Sequence, residues 1–426
     1  MSLDRRTFLK LTGVQAGALA TGAGGSLAPW AAGEAPALGR DRPEVAVIGA
    51  GSFGAWTAYY LTEMGVNVTV VDQHGPGNNR ATSMGETRGV RSSYGDHGLW
   101  VRWAADAIDR WNEFQDRWSE EHGLDLFFNT GDLILREEVD DWLGNSMASW
   151  DEIGHDYERL SLQEVRYRWP QVDPGDHRVA VHEPDAGVVR ARRTCETVMD
   201  MCERNGGRLR IARAEPGRSF DGRLVELELT PGDTLEADTY VFCLGPWFPK
   251  VFPDLMAERM TVPIGHVFYY AVPPGDNRFV HPNMPSYNVP GITGWPALPP
   301  DHRGFRVRTG GRPSQDPDES VRYIEGKHLE RPREFVGERF PALADAPLLQ
   351  TMSCHYEMSS DRTWFIDTHP EMDNVWLAGG GSAEGFKFGP VLGEYIARRV
   401  LGEEPASAEV RKECRLPEQT LGKPAY

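Results

Sequence analysis

A chain of 426 residues is too long for one small core and has the size of two interleaved domains. Its 63 acidic against 45 basic side chains leave a net charge of −18, which makes it a poor partner for nucleic acid or anionic membrane. The cysteines Cys195, Cys202, Cys243, Cys354 and Cys414 are odd in number and form no CxxC pair, so no disulfide framework and no metal site is expected.

The chain opens with Ser2-Leu3-Asp4-Arg5-Arg6-Thr7-Phe8-Leu9-Lys10, followed by a mildly apolar, Gly/Ala/Thr-rich stretch from Leu11 to Ala32. Paired arginines ahead of such a stretch are read by the twin-arginine export machinery, and Ala35-Pro36-Ala37 has the small-x-small form of a cleavage site. Its many glycines and diffuse hydrophobicity argue against a membrane span. Residues 1–37 are therefore expected to act as an export leader, placing the protein in the periplasm or outside the cell. The leader carries Arg5, Arg6 and Lys10 against Asp4 and Glu34, so its removal takes the net charge from −18 to −19.

Next comes the β-branched run Val45 to Ile48, which enters Gly49-Ala50-Gly51-Ser52-Phe53-Gly54. Ala55 to Glu63 reads as a helix, and a second strand, Val68 to Val71, ends in Asp72. Strand, Gly-x-Gly-x-x-Gly, helix, strand and terminal acid in this register form a dinucleotide cradle. Gly49 allows the tight turn, Gly51 lets the backbone approach a pyrophosphate, Gly54 lets helix and strand pack, and the helix N-terminus faces the phosphates. Asp72 would accept hydrogen bonds from ribose and repel a 2′-phosphate, which disfavours NADP and leaves FAD and NAD. Twin-arginine export carries folded proteins with their cofactors inserted, and a tightly held FAD would travel with its protein where a freely exchanging NAD would not.

Asp96 to Glu121 has helical spacing, with Trp100, Trp103, Trp111 and Trp118 expected in the core. Phe127 to Leu135 reads as strand and turn, and Ser161-Leu162-Gln163-Glu164 as a capping box opening another helix. Thr194 to Asn205 is helical, with Cys195 and Cys202 on one face, and strands are expected at Arg208 to Ala212 and Val225 to Leu229. Thr239 to Trp247 reads as a buried strand stopping at Gly245. Strands such as Val267 to Val272 and Gly304 to Thr309, with Pro-rich turns between, suit an antiparallel sheet. Asn374 to Glu394 reads as strand, glycine-rich loop and helix, a second loop facing the ligand. A nucleotide reached by both position 51 and position 381 must be long, which again favours FAD.

The fold class that follows is α/β, with a Rossmann-like FAD-binding domain interleaved with an α+β substrate domain built on a mainly antiparallel sheet. The FAD-binding domain is assigned residues 41–122, 187–262 and 351–405. The substrate domain takes 123–186 and 263–350, and 406–426 form a C-terminal tail.

With these stretches in place the chain resembles the monomeric sarcosine oxidase group of the D-amino-acid oxidase-like flavoenzymes. The likeness rests on the Gly49 fingerprint with Asp72, the run Gly85-Glu86-Thr87-Arg88-Gly89-Val90-Arg91 to Gly95, and the strand ending Gly245-Pro246-Trp247. It also rests on Ser353-Cys354, Phe365 to Pro370, and Gly385-Phe386-Lys387-Phe388. The resemblance implies that Cys354 joins its sulfur to the flavin 8α-methyl carbon, that Arg91 and Lys387 hold a substrate carboxylate, and that Arg88 lies against the flavin ring. Lys387 is one of only six lysines in the chain, so habit of composition does not explain it. The implied catalytic set is Arg91, Lys387, Arg306 and Arg88. The implied cofactor-binding set is Gly49, Gly51, Ser52, Gly54, Asp72, Thr87, Arg88, Cys354, Gly380, Gly381, Gly385 and Lys387.

Three departures accompany the matches. Where the oxidases place a lysine that promotes reaction with oxygen, this chain has Arg306. The family's active-site tyrosine and histidine fall near Thr293 and Gly310, and Met84 replaces a histidine. Tyr269, Tyr270, Trp295 and His266 are candidates for a different pocket lining. The expected activity is oxidation of the C–N bond of a secondary, N-alkyl or cyclic amino acid, with O2 or another carrier taking the electrons, by a monomer.

Overall fold

The computed structural model describes residues 42–122, 125–405 and 407–426. The twin-arginine stretch and the Ala35-Pro36-Ala37 site lie outside the described residues. Apolar β-branched runs make strands buried on both faces, and two of them, Glu44–Ile48 and Asn67–Asp72, form the centre of a six-stranded sheet. The order is Phe365–His369, Met372–Gly379, Thr239–Phe242, Glu44–Ile48, Asn67–Asp72, Arg208–Ile211. All neighbours are parallel except the first pair, which closes one edge as an antiparallel hairpin. Helix Ser52–Glu63 begins three residues earlier than its apolar spacing suggests, running straight on from Gly51. It packs so closely on helix Gly389–Val400 that a Cβ at Gly393 would lie 2.3 Å from Trp56 Cβ.

The second layer is an eight-stranded sheet in the order Leu348–His355, Ile264–Tyr270, Phe305–Arg312, Ile292–Trp295, Ser286–Val289, Asp132–Arg136, Val179–Glu183, Glu158–Leu160. Only the pairing of Ser286–Val289 with Asp132–Arg136 is parallel. Leu348–His355 pairs along its length with Ile264–Tyr270, which sets Cys354 opposite Gly265. Cys354 thus stands on the antiparallel sheet, although segment 351–405, which contains it, is expected in the FAD-binding domain.

The long helix Gly98–His122 buries Trp100, Trp103, Trp111 and Trp118, as its spacing predicts. Trp103 stacks on Trp364 with ring centroids 5.2 Å apart, and Trp111 Nε1 donates to the Lys387 carbonyl at 2.7 Å. The capping box at Ser161 and Glu164 forms, opening Leu162–Arg168. Cys195 and Cys202 are buried, as expected of a core-facing pair. The segment after Ser407 returns to the sheet edge, where Ile366 N donates to Cys414 O at 2.6 Å.

Candidate active site

In an open parallel sheet, ligands sit beyond the carboxyl ends of the strands. Ile48, Asp72, Cys243 and Gly379 stand at four such ends, and together with Gly265, Arg306 and Cys354 of the antiparallel sheet they line one cavity. Its void, with open solvent at the mouth included, is about 2080 Å³. Its lining runs without a break from the glycine cradle past Cys354 to Lys387, which suits an extended cofactor with a substrate beside it.

One end is built by glycine. Gly49 has φ +107°, and a Cβ there would lie 2.3 Å from Cys243 O; a Cβ on Gly54 would lie 1.8 Å from Gly49 O. Asp72 Oδ2 accepts from Ala50 N at 2.7 Å, and Oδ1 accepts from His74 N and Gly75 N at 2.8 Å each. A carboxylate offers about four acceptor positions, so about one remains for a ribose hydroxyl. Burial raises the Asp72 pKa against the pull of these three donors. Ser83 Oγ accepts from Ser52 N at 2.9 Å and so steadies the first turn of the helix. The glycine cradle, the acid and the length of the cavity fit FAD.

Midway along the cavity, Cys354 Sγ lies 3.4 Å from Arg88 Nη2 and 3.5 Å from Thr82 O. Three carbonyls, of Thr82, Met84 and Thr87, accept from the Arg88 guanidinium at 2.5–2.8 Å and fix its plane. Arg306 stacks on Trp295, with its guanidinium carbon 3.7 Å from the ring centroid. It is buried, and its Nε and Nη1 have no hydrogen-bond partner among the described residues. Burial lowers its pKa to about 10, so it remains a cation at neutral pH. An uncompensated buried cation calls for an anionic or strongly accepting ligand.

The far end is charged. Lys387, buried, meets both the Tyr94 hydroxyl and Glu384 Oε2. Glu384 Oε2 also accepts from Tyr94 Oη at 3.1 Å, and Glu384 Oε1 lies 3.5 Å from Arg91 Nη2. Arg91 Nη1 donates to Ser93 O at 2.7 Å and to Ser93 Oγ at 3.0 Å. Burial works against every charge in this group. The Lys387 and Arg91 cations outweigh it for Glu384, whose pKa falls to about 2. For Lys387 burial prevails over the attraction of Glu384, with Arg91 adding repulsion, and its pKa falls to about 8. The Arg91 pKa rises because its acidic neighbours outweigh burial. Asp132, at the start of its strand, is pushed by burial up to about 6, Arg91 only partly offsetting the shift.

Behind Arg91 lies a second buried network. Glu183 Oε1 accepts from Ser92 N at 2.8 Å and Ser92 Oγ at 2.5 Å and lies 3.0 Å from His155 Nε2. Trp150 Nε1 donates to Ser92 Oγ at 2.8 Å. These bonds lock the backbone that presents Arg91.

Most of the residues singled out from the sequence meet in this one cavity, with three exceptions among them. Gly54 acts in packing, Gly380 backs onto Thr363 and Phe365, and Thr87 Oγ1 turns away to accept from Trp295 Nε1 at 2.9 Å. Of the alternative lining, only Trp295 reaches the cavity: His266 Nδ1 lies 3.1 Å from Ser353 Oγ, Arg333 covers the Tyr270 ring, and Tyr269 borders a separate small cleft. Thr293 lines the cavity and Gly310 does not. Sequence reasoning missed Glu384, Asp132 and Tyr94. An acid three residues before Lys387 was a visible sign of the first; a lone acid heading an apolar strand is too common to mark the second.

Residues 44–399 match the family described as FAD dependent oxidoreductase. The chain is 27% identical over 360 residues to N-methyl-L-tryptophan oxidase of Escherichia coli strain K12, covering 83% of this chain and 94% of that one. Among solved structures it is similar to iminodiacetate oxidase from Chelativorans sp. BNC1, with TM-score 0.72 and 21% identity over 87% of this chain and 98% of the other. It is also similar to glycine oxidase from Geobacillus kaustophilus, with TM-score 0.75 and 18% identity over 89% and 99%.

Proposed function

Since the chain belongs to the family of FAD-dependent oxidoreductases, we propose that it oxidises the C–N bond of a carboxylate-bearing secondary, N-alkyl or cyclic amine to an imine that water then hydrolyses. O2 is the proposed terminal acceptor, with hydrogen peroxide as product. FAD, when bound, supplies the acceptor for the hydride leaving the substrate carbon. The observation that carries the reading is that Arg91 and Lys387 share one cavity with the glycine cradle and with Cys354.

Arg91 and Lys387 anchor the substrate carboxylate and so set which carbon faces the cofactor, which is catalysis chiefly by positioning. The Ser92–Glu183–His155 network keeps Arg91 from swinging away. Cys354 stands as the attachment point for the cofactor, with Arg88 holding the ring plane beside it. The names of the relatives, oxidases of N-methyl-L-tryptophan, iminodiacetate and glycine, support an amino-acid-like amine. Export is proposed on the paired Arg5 and Arg6.

A second reading is favoured by Arg306. The oxidases this chain resembles carry a lysine there, whereas here a guanidinium stacks on Trp295 with Nε and Nη1 unpaired among the described residues, which takes away the lysine that promotes reaction with oxygen. The reading is a dehydrogenase that hands its electrons to a quinone or protein. The test is an anaerobic screen of N-alkyl, cyclic and primary amino acids, following bleaching of the flavin band, and then reoxidation by O2 against an artificial quinone. Bleaching by none of them removes the proposed reaction; bleaching followed by fast reoxidation only with quinone selects the second reading.

A further inference from the structure

Arg91 and Lys387 do not wait empty for a substrate. One carboxylate already bridges them: Glu384 reaches Arg91 through Oε1 and Lys387 and the Tyr94 hydroxyl through Oε2. Its side chain is 30% exposed, whereas that of Lys387 is 6% exposed, so the glutamate stands between the lysine and the open part of the cavity. The loop that carries it is held in an unusual shape. Ser382 and Ala383, neither of them glycine, have φ of +46° and +66°, a conformation that L residues seldom adopt and that persists only where its surroundings demand it. Ser382 Oγ donates to Gly380 O at 2.9 Å, and Glu384 N donates to Gly381 O at 2.7 Å, which hold that shape.

The charges nearest the pair are already matched. Arg91 and Lys387 face Glu384 and Asp132, two cations against two acids once Asp132 ionises above about 6. Arg136 and Glu183, further back, are again one of each; Arg306 and Arg308 line the same cavity, and Arg308 also helps to hold the Glu384 pKa down. A carboxylate arriving at the buried pair therefore meets two cations that a resident carboxylate already bridges, and it must displace that carboxylate to make the same contacts.

We propose that Glu384 is a specificity-determining residue, a built-in carboxylate that occupies Arg91 and Lys387 and that a substrate's own carboxylate has to displace. The proposal rests on the reading of those two cations as the carboxylate anchor. Its consequence is an enzyme handicapped toward free carboxylates: among amines of equal size, one whose carboxylate is masked as an amide or ester competes far better here than at an unoccupied cation pair.

The test uses purified holoprotein and acetate as the probe, with binding read from perturbation of the visible flavin spectrum at pH 7. Glu384→Gln keeps the shape and removes the charge. It is expected to tighten acetate binding at least tenfold, and adding Arg91→Ala is expected to abolish that gain. Glu384→Asp, which withdraws the carboxylate by one methylene, gives a smaller gain in the same direction and serves if the glutamine variant does not fold. Unchanged or weaker acetate binding in both Glu384 variants, with Arg91→Ala still weakening the wild type, overturns the proposal and leaves the carboxylate anchor standing. Insensitivity to Arg91→Ala in every background overturns both.

Discussion

The two ends of the cavity are built on opposite principles. At the cradle the groups are close-packed and internally satisfied: Gly49 and Gly54 leave no room for a Cβ, and Asp72 is bonded to three backbone donors. At the charged end Lys387 is depressed to about 8 and Asp132 raised to about 6, and midway along the cavity Arg306 Nε and Nη1 have no hydrogen-bond partner among the described residues. Such strain in ionisable groups belongs where a ligand's charge will complete the arrangement, as active sites require. The cradle holds by shape and tolerates no added atom. The charged end discriminates by charge.

The comparison is broken most severely at the cradle. Gly54→Val forces a side chain onto the Gly49 carbonyl, whose strand cannot retreat; overpacking of this kind costs about 1–3 kcal/mol even where relaxation is possible. The expected result is little or no flavin-bearing protein, measured as the ratio of visible to ultraviolet absorbance and as a lowered Tm. Cys354→Ser sharpens the boundary between the ends. Acid precipitation of the wild type is expected to leave yellow in the washed pellet, and the serine variant to release it to the supernatant, with little change in melting.

The smallest expected effect is a pH dependence at the charged end. Below about 8 Lys387 is an ammonium and attracts a carboxylate; above it the charge and the attraction are lost. Glu384 and Asp132 are already ionised there, and burial holds Tyr94 protonated well above its ordinary value. Acetate, which has no amine of its own to titrate, should therefore bind up to about tenfold more weakly per pH unit above 8. Lys387→Met should lack this limb, which spectral titration between pH 6.5 and 9.5 reads directly.

The two ends also differ in how far the sequence discloses them. The cradle is contiguous, its glycines and Asp72 lying within residues 49–72, so local spacing states its chemistry. The amphipathic helix with its four tryptophans was equally legible, because one face repeats along one element. The charged end is made by contacts between distant segments: Arg91 and Glu384 are 293 residues apart, and Asp132 comes from a third segment. Arg91 and Lys387 were reached only through the resemblance. Glu384 could not be weighed, because its meaning lies in which cations it touches. Thr87 is the converse case, a motif residue that does not line the cavity and whose hydroxyl accepts from Trp295 Nε1.

The claim that one end holds the cofactor while the other selects the substrate is tested most directly by Arg91→Ala, measured twice on the same preparation. A hydrogen bond to a charged group contributes about 1.5–3 kcal/mol. Flavin content is therefore predicted to equal that of the wild type, while anaerobic flavin reduction by a carboxylate-bearing amine at limiting concentration falls roughly 10- to 150-fold. Loss of flavin together with rate, or an unaltered rate with full flavin, would contradict it.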